Sequence, residues 1–155
     1  MERMAAPQSA ALMGLSAYVA GMTIMRLLIG SIFRKLPERT LLYALFVLTL
    51  AALVLLRLSG SMKPAAAGLF LLGAGIAAGF PTMLGIVGNR YPHLSGTAFS
   101  FVFVIALLGN MLVNYSMGLV AENYGIKHLT TFTFAELIIL VAIATAIFRR
   151  LKQNK

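Results

Sequence analysis

The chain has 155 residues, of which 60% are hydrophobic and 11% are charged, and its formal net charge is +9. A soluble domain is usually about 25% charged, so most of this chain is expected to lie in lipid or against other apolar helices. It has no cysteine, which excludes disulfides and thiolate metal sites, and its two histidines and four acidic residues disfavour a metal site or an enzyme.

The positive charge is placed in a way that argues against nucleic-acid binding. The 13 lysine and arginine residues lie almost entirely in short gaps between apolar runs. Their expected role is to fix membrane topology and to contact the anionic headgroups of the lipid bilayer. The sequence gives no reason to expect a cofactor.

Five apolar runs are long enough for membrane helices, which need about 20 residues to cross the bilayer. After a polar lead at 1–10, the runs lie at about 12–33, 40–57, 64–88, 97–120 and 128–148, and a basic tail follows at 151–155. The sequence therefore predicts an all-α fold, a polytopic bundle of five transmembrane helices over residues 11–150.

The first run contains one charged residue, Arg26, and ends in a basic loop. Pro37 is expected to form a tight turn in this loop. A cation inside a span costs roughly 2.5–3.5 kcal/mol on insertion scales and normally faces the interior of a bundle. Two interpretations are open. Arg26 is either a gate or substrate-path residue, or a structural anchor that hydrogen-bonds a neighbouring loop or carbonyl.

The third run combines glycines with a proline. Gly75 and Gly79 form a GxxxG pair, which favours close approach of another helix backbone. Pro81 lies inside the same run and should kink or partly unwind the helix. The interpretation of Pro81 as a gating kink and its interpretation as part of an ordinary packed membrane helix are compatible.

Four further polar residues inside the runs are candidates for a substrate path: Tyr18, Asn110, Asn114 and Glu136. The two asparagines are four residues apart and so share one helix face, where the alternative role is interhelical hydrogen bonding worth about 0.6 kcal/mol per bond. Glu136 is either a proton site or a packing partner for a polar group of a neighbouring helix. Tyr18 either contacts the solute or packs against other helices.

The loops between the runs are short, so neighbouring helices are expected to be antiparallel and the positive-inside rule applies. One side of the membrane receives Arg34, Lys35, Arg39, Arg90, Arg149, Arg150, Lys152 and Lys155, and the other receives Arg3, Arg57, Lys63 and Lys127. This asymmetry predicts an N-terminus outside and a C-terminus in the cytoplasm. The expected location is a bacterial plasma membrane.

Two loops resemble the signature of the major facilitator superfamily. The segment GSIFRKLPER at 30–39 resembles the loop G-x-x-x-D-R-x-G-R, and GLVAENYG at 118–125 resembles its weaker echo, G-x-x-x-[DE]-x-x-G. The motif positions are Gly30, Arg34, Lys35 and Arg39 in the first loop, and Gly118, Glu122 and Gly125 in the second. Arg34 stands where the family has aspartate and Pro37 where it has glycine, so this loop lacks the acidic residue with which the family locks one transport state.

The spacing of these loops makes the chain similar to the last five helices, eight to twelve, of a twelve-helix transporter. The segments Gly21…Arg26…Gly30 and Phe80-Pro81-Thr82 resemble the fucose-permease and sugar-transporter branch. The resemblance implies secondary transport of a small solute, with a coupling proton or ion.

In this superfamily one half moves against the other around a site at the membrane midplane. Five helices alone should not complete that cycle. The chain is therefore expected to be truncated or split, and to work with a second chain or in a homodimer. The alternative function is a membrane scaffold or assembly partner that transports nothing.

Overall fold

A computed structural model describes residues 8–125 and 128–153. The predictions that concern the polar lead up to residue 7, Lys127 and residues 154–155 lie outside the described residues. The side chains of Gln8, Arg34 and residues 151–153 also lie outside the described part.

Within the described ranges every regular element is helical. The α-helices are α1 (Gln8–Ser31), α2 (Glu38–Leu58), α3 (Met62–Ile76), α4 (Gly79–Arg90), α5 (Ser95–Tyr124) and α6 (Leu129–Gln153). Short 3₁₀ turns, Phe33–Lys35 and Pro92–Leu94, precede α2 and α5. Five segments are long and apolar enough to cross a membrane: Ser9–Ser31, Glu38–Leu58, Met62–Arg90, Pro92–Tyr124 and Leu129–Arg150. The predicted all-α class with five membrane-spanning segments is confirmed.

The chain divides into two compact units. The first contains Met1–Ala78 and Leu137–Lys155, and the second contains Gly79–Glu136. In the described residues, the first unit is built from α1, α2, α3 and most of α6. The second is built from α4, α5 and the first turns of α6.

In the first unit, α3 packs on α1 so closely that the contact requires glycine. Gly73 of α3 lies against the carbonyl oxygen of Tyr18 in α1, and Gly21 of α1 lies against the carbonyl oxygen of Phe70 in α3. A Cβ atom at either glycine would overlap the opposite backbone. Close backbone approach through small residues is the usual way in which membrane helices gain packing energy, since lipid gives no hydrophobic driving force between them.

The opposite side of α3 packs on α2 in the same manner. Gly75 lies against Thr49, and a Cβ atom on Gly68 would lie 2.8 Å from Cγ of Leu56. Gly79, the second member of the predicted GxxxG pair, has nothing within 4 Å of its Cβ position. The packed glycines of α3 are thus Gly68, Gly73 and Gly75, because α3 ends before Gly79.

The apolar core of the first unit lies between α1, α2 and the C-terminal end of α3. Leu41, Leu45 and Ala78 are buried there, with side chains of α1 such as Met25 and Ile29 packed against them. A polar contact connects α6 to α2, since the hydroxyl groups of Tyr43 and Thr145 are hydrogen-bonded at 2.7 Å.

In the second unit, α4 and α5 meet through aromatic side chains. The rings of Phe80 and Phe103 have centroids 5.5 Å apart. A Cβ atom on Gly88 would lie 3.1 Å from the ring of Phe99. None of the 30 residues of α5 is buried, and many of its apolar side chains, such as Ile105 and Met111, are exposed.

The third predicted run consists of two helices rather than one. The α-helical backbone stops at Ile76 and resumes at Gly79, with Ala77 and Ala78 between. Pro81 has no N–H group, so it cannot donate to the carbonyl of Ala77, four residues earlier in the chain. The break therefore falls one turn before the proline, at the carbonyl that the proline leaves without its helical donor.

Replacing Gly73 with alanine is expected to destabilise the fold, because the new methyl group would overlap the carbonyl oxygen of Tyr18 and separate α1 from α3. We expect a loss of about 1–3 kcal/mol, the usual cost of overpacking, measured by unfolding in mixed micelles with circular dichroism. Gly109→Ala is the matched control, since nothing lies within 4 Å of that Cβ position. Equal stability of the two variants would contradict this packing.

Candidate functional site

Arg26 lies in the last third of α1, inside the first membrane-spanning segment. Its Nε donates a hydrogen bond to the carbonyl oxygen of Ala77, at 3.3 Å. Ala77 lies near the middle of the 29-residue span Met62–Arg90. The guanidinium is therefore held by a mid-span group, whereas a long cationic side chain that serves only as an interface anchor extends towards the headgroups.

The Ala77 carbonyl and the Arg26 guanidinium each lower the free-energy cost of placing the other in the membrane. Pro81 cannot supply the backbone donor that a carbonyl at position 77 would receive in a continuous helix. In hydrocarbon, an unpaired backbone carbonyl costs several kcal/mol, since no water is present to replace the missing donor. The Nε–H of Arg26 provides that donor, and the carbonyl in turn gives a cation within a membrane span a polar partner.

Most of the hydrogen-bonding capacity of Arg26 is still unused in this arrangement. A guanidinium carries five N–H groups in a rigid plane, of which four belong to the two terminal amines. Within the described part of the chain, neither a further hydrogen bond nor an ion pair engages these amines, and the side chain is exposed. A structural-anchor role for Arg26 therefore explains the hydrogen bond of Nε and leaves the two terminal amines unexplained.

Tyr18 lies on the same helix, about two turns before Arg26. It borders a groove of about 790 Å³ between the beginnings of α1 and α3. The walls of the groove are mostly apolar, and Lys63 supplies a cationic group to its lining. Two of the predicted path residues, Tyr18 and Arg26, thus lie on one helix of the first unit.

Asn110 and Asn114 belong to the second unit, on the exposed surface of α5. Nδ2 of Asn114 donates to both the backbone oxygen and the Oδ1 of Asn110, each at 2.8 Å. These contacts are intrahelical, so they are not the interhelical bonds of the alternative interpretation. Among the described residues, Nδ2 of Asn110 and Oδ1 of Asn114 have no hydrogen-bond partner and are left for another group.

Glu136 is half-buried in α6, at the end of the second unit. Its Oε1 is buried and has no hydrogen-bond partner among the described residues. A buried carboxyl oxygen without a partner is costly. A donor from a solute or from another helix would satisfy it, and protonation would remove the charge of the carboxylate. Glu136 therefore carries a buried carboxyl oxygen that lacks a hydrogen-bond donor, a feature expected at a functional position.

The first loop motif forms the connection between α1 and α2. Gly30 has nothing within 4 Å of its Cβ position, and Lys35 is exposed in the 3₁₀ turn. The guanidinium of Arg39 lies 5.8 Å from the ring centroid of Tyr43, a cation–π contact that holds it at the start of α2. The side chain of Arg34 lies outside the described part.

The second loop motif ends α5. Gly125 has a φ of +85°, a conformation that strongly favours glycine, and its N–H bonds the carbonyl of Ala121 at 3.1 Å. Gly118 has open space at its Cβ position, and Glu122 is exposed. The glycine at position 125 is therefore explained by helix termination, independently of any transport role.

Sequence reasoning missed the partner of Arg26. The signal was present, because a proline within a helical run identifies the carbonyl four residues earlier as an acceptor without its helical donor. In the described residues, no group of three or more His, Cys, Asp or Glu side chains could hold a metal ion.

The chain is similar to a known family of proteins. The family model described as Major Facilitator Superfamily matches residues 4–155. The match includes both loop motifs and all five membrane-spanning segments. Neither a curated protein nor a solved structure shows significant similarity to the chain.

Arg26→Ala is expected to destabilise the chain by about 1–3 kcal/mol, because the Ala77 carbonyl then loses its donor. Adding Pro81→Ala should recover part of that loss, since an alanine at position 81 has a backbone N–H to offer. A double-mutant cycle measured by unfolding in mixed micelles should give a coupling of about 1 kcal/mol. Additive effects would contradict the link between the arginine and the proline. Lys63→Ala, which removes an exposed cation, is the control.

Proposed function

The chain belongs to the major facilitator superfamily, a family of membrane transporters, and from this premise we propose that it forms part of the solute path of a secondary transporter. It is an integral membrane protein whose partners are the lipid bilayer and a small solute. The observation that carries the proposal is Arg26, a cation bonded to a mid-span carbonyl with its terminal amines unengaged in the described residues. An ion inside a membrane protein is by default a functional group.

We assign the five spans to helices eight to twelve, in the C-terminal half of the superfamily fold. The support is the pair of loop motifs at 30–39 and 118–125, which follow the first and fourth spans. A signature loop and its echo occupy those two positions in that half. The remaining helices of the transport cycle come from elsewhere in the protein, from a second chain or from a second copy.

The proposed path uses the polar groups that the apolar spans carry. The candidates of the first unit are Arg26 and Tyr18 of α1, and those of the second unit are Asn110 and Asn114 of α5. Glu136 is assigned to coupling, because its buried Oε1 has no partner in the described residues and a proton would neutralise the charge of this carboxylate. The supporting principle is that half-helices and polar groups at the midplane form the binding sites of secondary transporters.

The proposed orientation has the N-terminus outside and the C-terminus in the cytoplasm of a bacterial cell. The loop between α1 and α2 and the C-terminal residues 149–155 are rich in lysine and arginine, and positive charge is retained on the cytoplasmic side. This orientation places the first loop motif, 30–39, in the cytoplasm.

A solute path predicts that residues beside the polar groups are reached by water. The chain has no cysteine, so single cysteines can be introduced without further changes. We expect Met22→Cys and Asn110→Cys to react with a membrane-impermeant maleimide, because a thiol ionises and reacts in water but not in lipid. Val47→Cys is the control, since Val47 is 67% exposed in the middle of α2 and is expected to face acyl chains.

If neither Met22→Cys nor Asn110→Cys reacts more than Val47→Cys, the path is absent and the non-transporting scaffold is favoured. A reaction that the transported solute slows would further support the path.

The orientation is tested by reporter fusions in a bacterial host. Green fluorescent protein fused after residue 155 should fluoresce, because it folds in the cytoplasm. Alkaline phosphatase fused after Glu122 should be active, because that loop is assigned to the oxidising outer side. The reverse pattern of activities would show that the chain is inserted with its C-terminus outside.

A further inference from the structure

Arg26 presents an unpaired hydrogen-bonding edge inside the membrane. Its Nε–H is committed to the Ala77 carbonyl, while its two terminal amines have no hydrogen-bond partner in the described residues. The guanidinium is planar, so these amines form a rigid edge that is distinct from the Nε atom. The bond to Ala77 therefore limits the rotation of the group and leaves one edge available to a ligand.

The charge of this edge is also uncompensated. The run from Leu12 to Phe33 contains no acidic residue, and no ion pair to Arg26 forms within the described part of the chain. The Ala77 carbonyl offers a dipole and not a negative charge. A ligand that matches this edge must therefore supply negative charge as well as hydrogen-bond acceptors.

The geometry of the free edge narrows the class of ligand. Two parallel N–H groups fit the two oxygens of a carboxylate or phosphate, and such bidentate, charge-assisted pairs are stronger than neutral hydrogen bonds. A neutral sugar has acceptors for the N–H groups but would leave the charge uncompensated.

We infer that Arg26 binds an oxyanion group, carboxylate or phosphate, beside the Ala77 carbonyl, and that the transported solute is a small organic anion. This inference rests on the proposed transport function and names the class of its solute. The mid-span position of Ala77 favours a solute over a lipid headgroup as the source of the oxyanion, since headgroups lie at the two surfaces of the membrane.

The test uses the full chain in nanodiscs of phosphatidylcholine, with and without phosphatidylglycerol. Binding of sodium benzoate, inorganic phosphate and L-fucose is measured by isothermal titration calorimetry. We expect one or both anions to bind, L-fucose not to bind, and Arg26→Lys to weaken anion binding by about tenfold or more, because an ammonium group keeps the charge but loses the bidentate edge.

Two controls separate binding from folding. Arg26→Lys retains a donor for the Ala77 carbonyl, and its helical content is checked by circular dichroism. Arg149→Gln removes an exposed cation in the same unit, outside the groove and the proposed path, and should leave anion affinity unchanged. Uptake of benzoate and L-fucose by the wild-type chain in liposomes provides a measurement that does not depend on any variant.

The outcomes distinguish the two proposals. Uptake of L-fucose without binding of either anion would overturn the oxyanion assignment and leave transport standing. Anion binding that Arg26→Lys abolishes, without uptake of any probe, would support the site and count against the transport function. Saturable binding of phosphatidylglycerol, with neither soluble anion bound, would show that the ligand is a lipid headgroup and would overturn the assignment to a solute.

Discussion

The structure depends on one requirement of the bilayer, that every backbone polar group inside it must find a partner within the protein. Pro81 leaves the carbonyl of Ala77 without its helical donor, and Arg26 meets that need from α1. The same bond gives a costly intramembrane cation a polar neighbour. The helix break and the arginine, each unfavourable alone, are therefore stable together.

This bond is possible because α1 and α3 approach each other closely. Gly21 and Gly73 bring the two backbones into direct contact, and Gly75 allows α2 to pack on the other side of α3. A glycine interface has few rotamers to order, so it fixes the helices without large side chains between them. The position of the guanidinium is thus set by backbone packing several residues away from it.

The two interpretations of Arg26 are both accommodated by one side chain. Nε acts as the structural anchor, while the terminal amines keep the charge and the planar edge that a ligand needs. A lysine at this position would offer one compact ammonium for both tasks. An arginine suits a position beside a broken helix because its Nε and its terminal amines can bind different partners.

The sequence by itself determined the class, the five apolar segments and the family, because hydrophobic length and loop motifs are local properties of the chain. It also identified Arg26 and Pro81 as unusual, but as separate features 55 positions apart. The Ala77 carbonyl that connects them carries no side-chain signal and becomes a partner only when α1 meets α3. Likewise, the sequence spacing predicted that Gly75 and Gly79 pack together against a neighbouring helix, whereas Gly73 and Gly75 make the close helix contacts. The glycines that face a neighbouring helix depend on where α3 ends and on how the three helices cross.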